Sequence, residues 1–352
     1  PVGLDVESKI PWSSHGYYLS KRPSFTLDPL FHAGTYYVQE ASSMFLEQAI
    51  TQHCDVNKTL RVLDLCAAPG GKSTIIQSLI SKDSLLVSNE IIKSRASILE
   101  ENISKWGAAN VVVTNNEPAH FKRLPQYFDV LVVDAPCSGS GLFRKDPEAV
   151  NEWSLQNVQL CSERQKKILT ETWDSLKPGG ILIYSTCSYS TAENEDILDW
   201  VGDHFEAASL PIQVEEDWSI VQTSSPVHQN AGYRFYPDKL KGEGFFIAVF
   251  KKAEEGTATK LPRGKNKMPL LSATQVAVIA PYVKQAADYN FIQWKEEVLA
   301  VNAKHVEDIS LLQSVLYIKK AGVNLGTIIR NILVPAHEWA ISSIATIIFL
   351  RY

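Results

Sequence analysis

From Leu60 to Lys252 the chain alternates short runs of β-branched and aliphatic residues with longer amphipathic stretches, a pattern that few folds accept. Parallel strands covered by helices on both faces read as near-continuous apolar runs, and each intervening stretch must return the chain to the same end of the sheet. The pattern predicts strands at LRVLDLC (60–66), SLLVSNE (84–90), NVVVTN (110–115), DVLVVDAP (129–136), GGILIYSTCS (179–188) and EGFFIAVFKK (243–252). Ala96, Leu99, Ile103 and Trp106 recur at helical spacing, as do Leu169, Trp173 and Leu176, so each set predicts one apolar helical stripe laid on the sheet. The expected class is α/β, with a doubly wound, Rossmann-like sheet.

A chain of 352 residues is longer than one such unit needs, so smaller flanking regions are expected. The segment Lys251–Lys267 carries six Lys or Arg against two Glu and is broken by Gly256, Pro262 and Gly264, which predicts a solvated linker over a phosphate-binding strap. Beyond it, VLYIKKAGVNLGTII (315–329) reads as two short strands joined near Gly322, with Asn324 and Gly326 as turn residues, inside a small β-rich unit starting near residue 271. Before residue 48, Pro11–Tyr37 shows no period and is expected to be an irregular arm leading into a helix at Ala41–Ile50.

Composition narrows the function. Hydrophobic residues at 45% and charged residues at 21% allow a full core and exclude disorder. The apolar stretch Trp339–Leu350 is interrupted by Ser342 and Ser343 and falls short of the roughly 20 residues of a membrane span, so no membrane partner is expected. A net charge of −5 supplies no global basic field, and any nucleic acid must be gripped locally. Five widely spaced cysteines contain no Cys-x-x-Cys pair, which argues against a disulfide framework or a metal site and for a reducing, cytoplasmic setting. Cys54 and Cys161 read as core residues. The chain begins at Pro1, as a fragment would, and a monomer is expected.

The chemistry concentrates at the strand ends. Asp64-Leu-Cys66-Ala67-Ala68-Pro69-Gly70-Gly71-Lys72-Ser73 joins the first strong strand to a helix, where α/β sheets hold ligands and glycines admit close backbone approach. A phosphate loop would need glycine at Cys66, and the dinucleotide G-x-G-x-x-G is absent. Glu90, ending the next strand, is placed to accept hydrogen bonds from both hydroxyls of a ribose, which suggests a nucleoside-bearing cofactor. Two cysteines reach the same rim, Cys137 in Asp134-Ala-Pro-Cys-Ser-Gly and Cys187 in Ser185-Thr-Cys-Ser188. Ser190-Thr-Ala-Glu193 has the form of a capping box, which predicts a helix start about three residues past Cys187 and a favoured thiolate there. A thiolate that attacks carbon 6 of a pyrimidine makes carbon 5 nucleophilic enough to take a methyl group, and a second group is then useful for release.

CAAPGGK (66–72), DAPCSG (134–139) and STCS (185–188), in this order on these strands, closely resemble the S-adenosylmethionine-dependent RNA cytosine carbon-5 methyltransferases of the Sun/NOL/NSUN family. GTYYVQEASSM (34–44), LFRKDPEAVNEWS (142–154) and EGFF (243–246) extend the likeness over about residues 34–252. The resemblance implies a class I S-adenosylmethionine-dependent methyltransferase fold at 48–254, a partial N-terminal RNA-binding region at 1–47, a basic linker at 255–270 and a PUA-like RNA-binding unit at 271–352. It further implies that Cys66, Ala67, Ala68, Pro69, Gly70, Gly71 and Lys72 cradle S-adenosyl-L-methionine, with Glu90 on the ribose, Glu117 beside the adenine and Asp134 between cofactor and base. Cys187 becomes the nucleophile, Cys137 the residue that assists product release, and Arg144 and Lys145 contacts for RNA phosphates. The bacterial members most similar in pattern imply 16S ribosomal RNA, in its decoding region, or the small ribosomal subunit as partner.

Three other readings have defined weaknesses. A non-catalytic RNA-binding or ribosome-assembly scaffold has no need of two rim cysteines and an intact glycine loop. A nucleotide hydrolase on Gly71-Lys72-Ser73 is weakened by Cys66. A DNA methyltransferase would take its nucleophile from a Pro-Cys motif, whereas the Thr186-Cys187 position matches the RNA enzymes.

Overall fold

The computed structural model describes residues 4–22, 24–255, 259–262, 264, 268–329 and 332–346. Two short strands, β1 (Val6–Lys9) and β2 (Tyr17–Leu19), form an antiparallel hairpin. The arm is therefore less irregular than its sequence suggests, and it is anchored by Trp12. That side chain is buried against Phe235 and Trp218, and its Nε1 donates to Ala41 O at 2.8 Å. The expected helix follows as a 3-10 turn, Ser42–Phe45, continued by Leu46–His53.

The core sheet uses β3 (Arg61–Asp64), β4 (Leu85–Asn89), β5 (Val111–Thr114), β6 (Phe128–Asp134) and β7 (Leu176–Thr186), all parallel in the order β5-β4-β3-β6-β7. Every residue of β4 and β5 is buried, the result of covering both faces of a parallel sheet. Beyond β7 the sheet continues antiparallel through β8 (Ala207–Ser209), β9 (Val221–Ser224), β10 (Ala231–Phe235) and β11 (Phe245–Lys252), with β11 against β7 and β8 pairing β11. The strand order reverses between β3 and β6, which opens a crevice at their carboxyl ends.

Helices cover the sheet as the periodicities require, with one adjustment. Lys93–Trp106 buries Ala96, Leu99 and Ile103 and stops at Gly107, whose φ of +72° is the left-handed conformation that ends a helix. Leu155–Thr172 starts at Ser154, whose Oγ accepts the Asn157 amide at 3.1 Å, and it buries Val158, Cys161, Ile168 and Leu169. The Leu169, Trp173, Leu176 stripe is not one helical face: the helix ends at Thr172, Trp173 begins a 3-10 turn and Leu176 opens β7.

The C-terminal segment departs further from its sequence reading. β12 (Tyr289–Trp294), β13 (Glu297–Asn302), β15 (Val323–Ile329) and β16 (Ile332–Pro335) form a separate antiparallel sheet, whereas β14 (Ile318–Ala321) adds to the core sheet, antiparallel to β5. The two strands flanking Gly322 are thus neighbours in sequence and members of different sheets. Gly322 makes the crossing at φ +60°, and a Cβ there would lie 2.2 Å from Ala300 O. Asn324 and Gly326 are not a turn; they lie inside β15, where Asn324 Oδ1 accepts the Gly326 amide at 2.8 Å beside a break in register.

Among the described linker residues most are exposed and Met268 is buried; Arg263, Lys265 and Lys267 lie outside the described residues, as do Ile347–Tyr352. No helix among the described residues is long and apolar enough to cross a membrane.

Candidate active site

Every residue singled out at the strand ends falls on one rim of the core sheet, at the carboxyl ends of β3 to β7. After β3 the chain is drawn over the sheet by Ala67, whose amide donates to Asn89 O at 2.8 Å. Arg95 Nη2 then donates to Ala68 O at 2.7 Å and Asn102 Nδ2 to Pro69 O at 2.8 Å, so two side chains of one helix hold the loop's carbonyls from outside. Gly70 has φ +118°, a conformation closed to ordinary L-residues, and it delivers the chain into the helix Gly71–Leu79. Gly71 sits against the Gln39 side chain, which a Cβ would approach to 3.2 Å.

Two buried carboxylates flank this loop. Asp64 accepts a hydrogen bond from Ser73 Oγ at 2.7 Å through one oxygen, while its Oδ1 has no hydrogen-bond partner. Burial pushes its carboxyl up to about 7, a rise the Ser73 bond and the Lys72 charge only moderate. Glu90 accepts the Ile92 amide at 2.9 Å through Oε1; its Oε2 is buried without a hydrogen bond, with Arg95 Nη1 at 3.5 Å. Buried oxygens are ordinarily paired, so two orphaned acceptors beside a glycine loop mark a ligand rich in donors. The hydroxyls of a ribose and the ammonium of an amino acid are such donors, and S-adenosylmethionine carries both. The residues present therefore fit that cofactor.

Lys72 does not reach along the loop toward a phosphate. Its Nζ pairs with Asp134 Oδ2 at 2.8 Å and lies 5.2 Å from the centre of the Phe245 ring. Burial alone would lower the Lys72 pKa, but the Asp134 carboxylate outweighs it and raises the ammonium. Ser185 Oγ donates to the other Asp134 oxygen at 2.8 Å. This arrangement removes the lysine that a nucleotide hydrolase would need.

The two rim cysteines meet. Cys137 Sγ and Cys187 Sγ lie 3.1 Å apart, although 50 residues separate them in sequence. The hydrogen bond from Cys137 is the main influence lowering the Cys187 thiol, opposed by burial and by Asp134 and aided by Lys72. The same bond, with burial, raises Cys137 well above an ordinary thiol. The 3.1 Å contact thus couples the two thiols and makes Cys187 the one eased toward ionisation. Cys66, by contrast, is pushed up by burial and then by Asp134 and remains a thiol. Cys161 is buried and Cys54 half-buried against the core, as expected, and all five cysteines are free.

The predicted capping box does not form. The stretch Thr191–Glu193 is a 3-10 turn, the helix Glu195–His204 begins later, and Ser190 makes no side-chain cap. Glu193 is instead fully buried and accepts from the Ser138 amide at 2.7 Å, from Ser138 Oγ at 2.6 Å and from Ser188 Oγ. Tertiary donors outcompete the local amide, and the lowering of the Cys187 thiol traces first to Cys137, then to Lys72 and a backbone hydrogen bond, not to a Ser190 cap.

Close packing holds the cysteine loops together. Gly141 donates its amide to Cys187 O at 2.7 Å, and a Cβ there would stand 2.5 Å from both Cys187 O and Gly244 O. Glu40 accepts the amides of Ser42, Ser43 and Glu243, which ties the GTYYVQEASSM stretch to the EGFF loop. Glu40 was not singled out from sequence, and Glu193 was read only as the partner of Ser190 in a capping box. Arg144 and Lys145 are exposed; Arg144 Nη1 donates to Gly242 O at 3.0 Å, so it joins two loops of the rim. Glu117 is exposed after β5 and precedes the 3-10 turn Pro118–Arg123. No group of three His, Cys, Asp or Glu among the described residues could hold a metal ion.

Comparison with known proteins gives a consistent picture. The family described as 16S rRNA methyltransferase RsmB/F matches residues 52–251, and the N-terminal domain of 16S rRNA methyltransferase RsmF matches residues 4–41. A ribosomal RNA small subunit methyltransferase F of Pectobacterium atrosepticum is 33% identical over 85% of this chain and 62% of its own length. That of Shewanella piezotolerans is 30% identical over 94% of this chain and 71% of its own. The chain thus spans about three fifths of the first of these relatives. Among solved structures, a methyltransferase homolog protein from Pyrococcus horikoshii superposes with a TM-score of 0.60 at 32% identity, covering 71% of this chain and 79% of that one. NSun6 from Pyrococcus horikoshii, solved with the S-adenosylmethionine analogue SFG, gives 0.58 at 26% identity, covering 68% and 60%.

Proposed function

The chain belongs to the 16S rRNA methyltransferase RsmB/F family, and from that premise we propose that it methylates carbon 5 of a cytosine in 16S ribosomal RNA, using S-adenosylmethionine. The observation that carries the reading is the pair of cysteine sulfurs 3.1 Å apart on the rim that also bears the glycine loop and the Asp64 and Glu90 oxygens left without hydrogen bonds.

When bound, S-adenosylmethionine supplies the electrophilic methyl group. Cys66 to Lys72 would enclose it, with Glu90 Oε2 accepting from the ribose and Glu117 beside the adenine. Cys187 Sγ forms a bond to carbon 6 of the base, and the electrons of the 5,6 double bond make carbon 5 the nucleophile. Lys72 and Asp134 fix the polar floor beneath this exchange. Carbon 5 takes the methyl group as the methyl–sulfonium bond breaks; water then takes the proton on carbon 5, the double bond re-forms and the sulfur–carbon bond breaks with its electrons returning to Cys187 Sγ. The S–H of Cys137 is then placed to stabilise the departing Cys187 thiolate by donating to it. Arg144 and Lys145 would meet RNA phosphates, and the base would enter flipped out of its stack.

The regions 1–47 and 271–352 are proposed as RNA-binding, the latter PUA-like, and the working form as a cytoplasmic monomer acting on 16S RNA or the small subunit. The test is transfer of labelled methyl to purified 16S RNA and to small subunits, with bisulfite mapping of the product. A single modified cytosine that disappears with Cys187→Ala is expected. Normal transfer by that variant would refute the covalent route.

A further inference from the structure

The side chain of Glu193 occupies a place that neither packing nor helix capping explains. It is fully buried in the turn Thr191–Glu193, and its carboxyl group is bonded to Ser138 and Ser188 and caps no helix. One oxygen accepts the amide of Ser138, the residue after Cys137. The other accepts the hydroxyls of Ser138 and of Ser188, the residue after Cys187. Burying a carboxyl group is costly unless it is hydrogen-bonded, and here three donors reach its two oxygens. All three belong to the two segments that carry the thiols.

The surrounding bonds show how much depends on this bridge. The loop after β6 and the loop after β7 touch through the Gly141 amide on Cys187 O and through the Tyr189 amide on Ser140 Oγ at 2.8 Å. Asn194 supports the second loop from behind, accepting from Thr186 Oγ1 at 2.6 Å and donating to Ser188 O at 2.8 Å. Those contacts secure the far side of Cys137's loop and the flanks of Cys187. The residues next to both cysteines are joined by Glu193 at 2.6–2.7 Å on the Ser138 side, with only a longer 3.4 Å contact between the Ser138 and Ser188 hydroxyls themselves. A fully satisfied buried polar network of this kind selects a single arrangement, and a partly satisfied one does not.

We propose that Glu193 is a positioning residue for the cysteine pair, setting the distance and orientation at which Cys137 presents its S–H to the Cys187 sulfur. The proposal rests on the reading of Cys187 as the nucleophile and assigns a residue that the motif leaves without a role. Charge works in the same sense. Glu193 lies among the groups that keep Cys137 protonated, whereas Lys72 lies among those that favour the Cys187 thiolate. At Cys187 the neighbouring charges oppose one another, Asp134 raising the thiol and Lys72 lowering it, so the hydrogen bond from Cys137 is what separates the two thiols.

The experiment is the pH profile of Cys187 alkylation by iodoacetamide on the full chain, free of RNA and cofactor, with the modified site identified by peptide mass. Wild type is expected to react with a midpoint below that of an ordinary thiol. Glu193→Gln replaces one acceptor oxygen with a donor and cannot hold all three bonds. Its midpoint is expected to rise by about one unit, a roughly tenfold loss of thiolate at pH below both midpoints. Glu193→Asp, which keeps the acceptors but shortens the reach, is expected to fall between the two. In methyl transfer, Glu193→Gln is expected to lower kcat about tenfold with KM for S-adenosylmethionine unchanged. A folded Glu193→Gln whose alkylation profile superimposes on wild type would overturn the proposal.

If Glu193→Gln does not fold, the Ser138→Ala, Ser188→Ala double variant decides, since it removes both hydroxyl donors and leaves the carboxyl group in place. An upward midpoint supports the bridge, and an unchanged one overturns it. A wild-type Cys187 no more reactive than an ordinary thiol would fail the nucleophile reading itself, an outcome separate from a wild type that is reactive and a Glu193→Gln that matches it.

Discussion

The two halves of the site are built in opposite ways. The cradle is one contiguous run, 66–72, whose shape is set by its own backbone and clamped by Arg95 and Asn102 from a single helix. The cysteine pair is assembled from two loops with 50 residues between the sulfurs, and a third segment, at Glu193, holds them together. In the proposed reading the cradle's chemistry is binding, exercised by its carbonyls and glycines together with the neighbouring oxygens of Asp64 and Glu90. The pair's chemistry is reactivity, exercised by the ionisation of one sulfur against another. A substitution in the first, Lys72 excepted because its charge acts on Cys187, should therefore change affinity and leave the Cys187 thiol alone, and a substitution in the second should do the reverse.

The largest effect expected is from Cys187→Ala, which should lower methyl transfer by at least about 10³-fold while calorimetric affinity for S-adenosylhomocysteine stays within about twofold. An equal loss of affinity would break the separation. Next, Glu90→Gln should weaken S-adenosylhomocysteine binding by roughly 10- to 100-fold, the worth of hydrogen bonds to a charged acceptor, with the Cys187 alkylation profile unchanged. Gly70→Ala forces an L-residue to φ +118° and should cost about 1–3 kcal/mol in urea unfolding, with weaker cofactor binding and again no change in alkylation.

A smaller effect should appear in stability against pH. Asp64 has a folded-state pKa of about 7 against an ordinary 3.8, so the folded protein holds a proton that the unfolded chain releases between those values. The folded state binds more protons there, and stability from this group is full below the lower value and lost as pH rises to the upper one. Urea unfolding of the cofactor-free protein between pH 4 and pH 8 should show that decline, on the order of 1 kcal/mol per unit, and Asp64→Asn should flatten it. A slope unaffected by Asp64→Asn would remove the buried carboxyl from the explanation.

Much of this was legible in the chain, for a physical reason that also marks where legibility ends. β4 and β5 are buried along their whole length, so their apolar runs were unmistakable, and the glycine loop and both cysteines fell on the rim their positions after strands required. Contacts between distant segments left no local trace. Lys72 and Asp134 sit in separate motifs and each has a sufficient local reading, so their 2.8 Å pair was not visible. Glu193 satisfied a capping pattern in sequence, and only the arrival of Ser138 from another loop decided against it. Gly322 carried the right signal, a reversal, but a sheet-to-sheet crossing and a turn demand the same backbone freedom. Trp12 had no periodic company and its anchoring role depends on Trp218 and Phe235, far along the chain.

The central claim is that Cys187 bonds to the base and Cys137 assists its release. It is tested most directly by incubating Cys137→Ala with S-adenosylmethionine and 16S RNA and looking for a protein–RNA species that survives denaturing electrophoresis. That species should accumulate with Cys137→Ala and be absent from the Cys137→Ala, Cys187→Ala double variant. A stable adduct in the double variant, or active turnover by Cys137→Ala with no adduct, would contradict it.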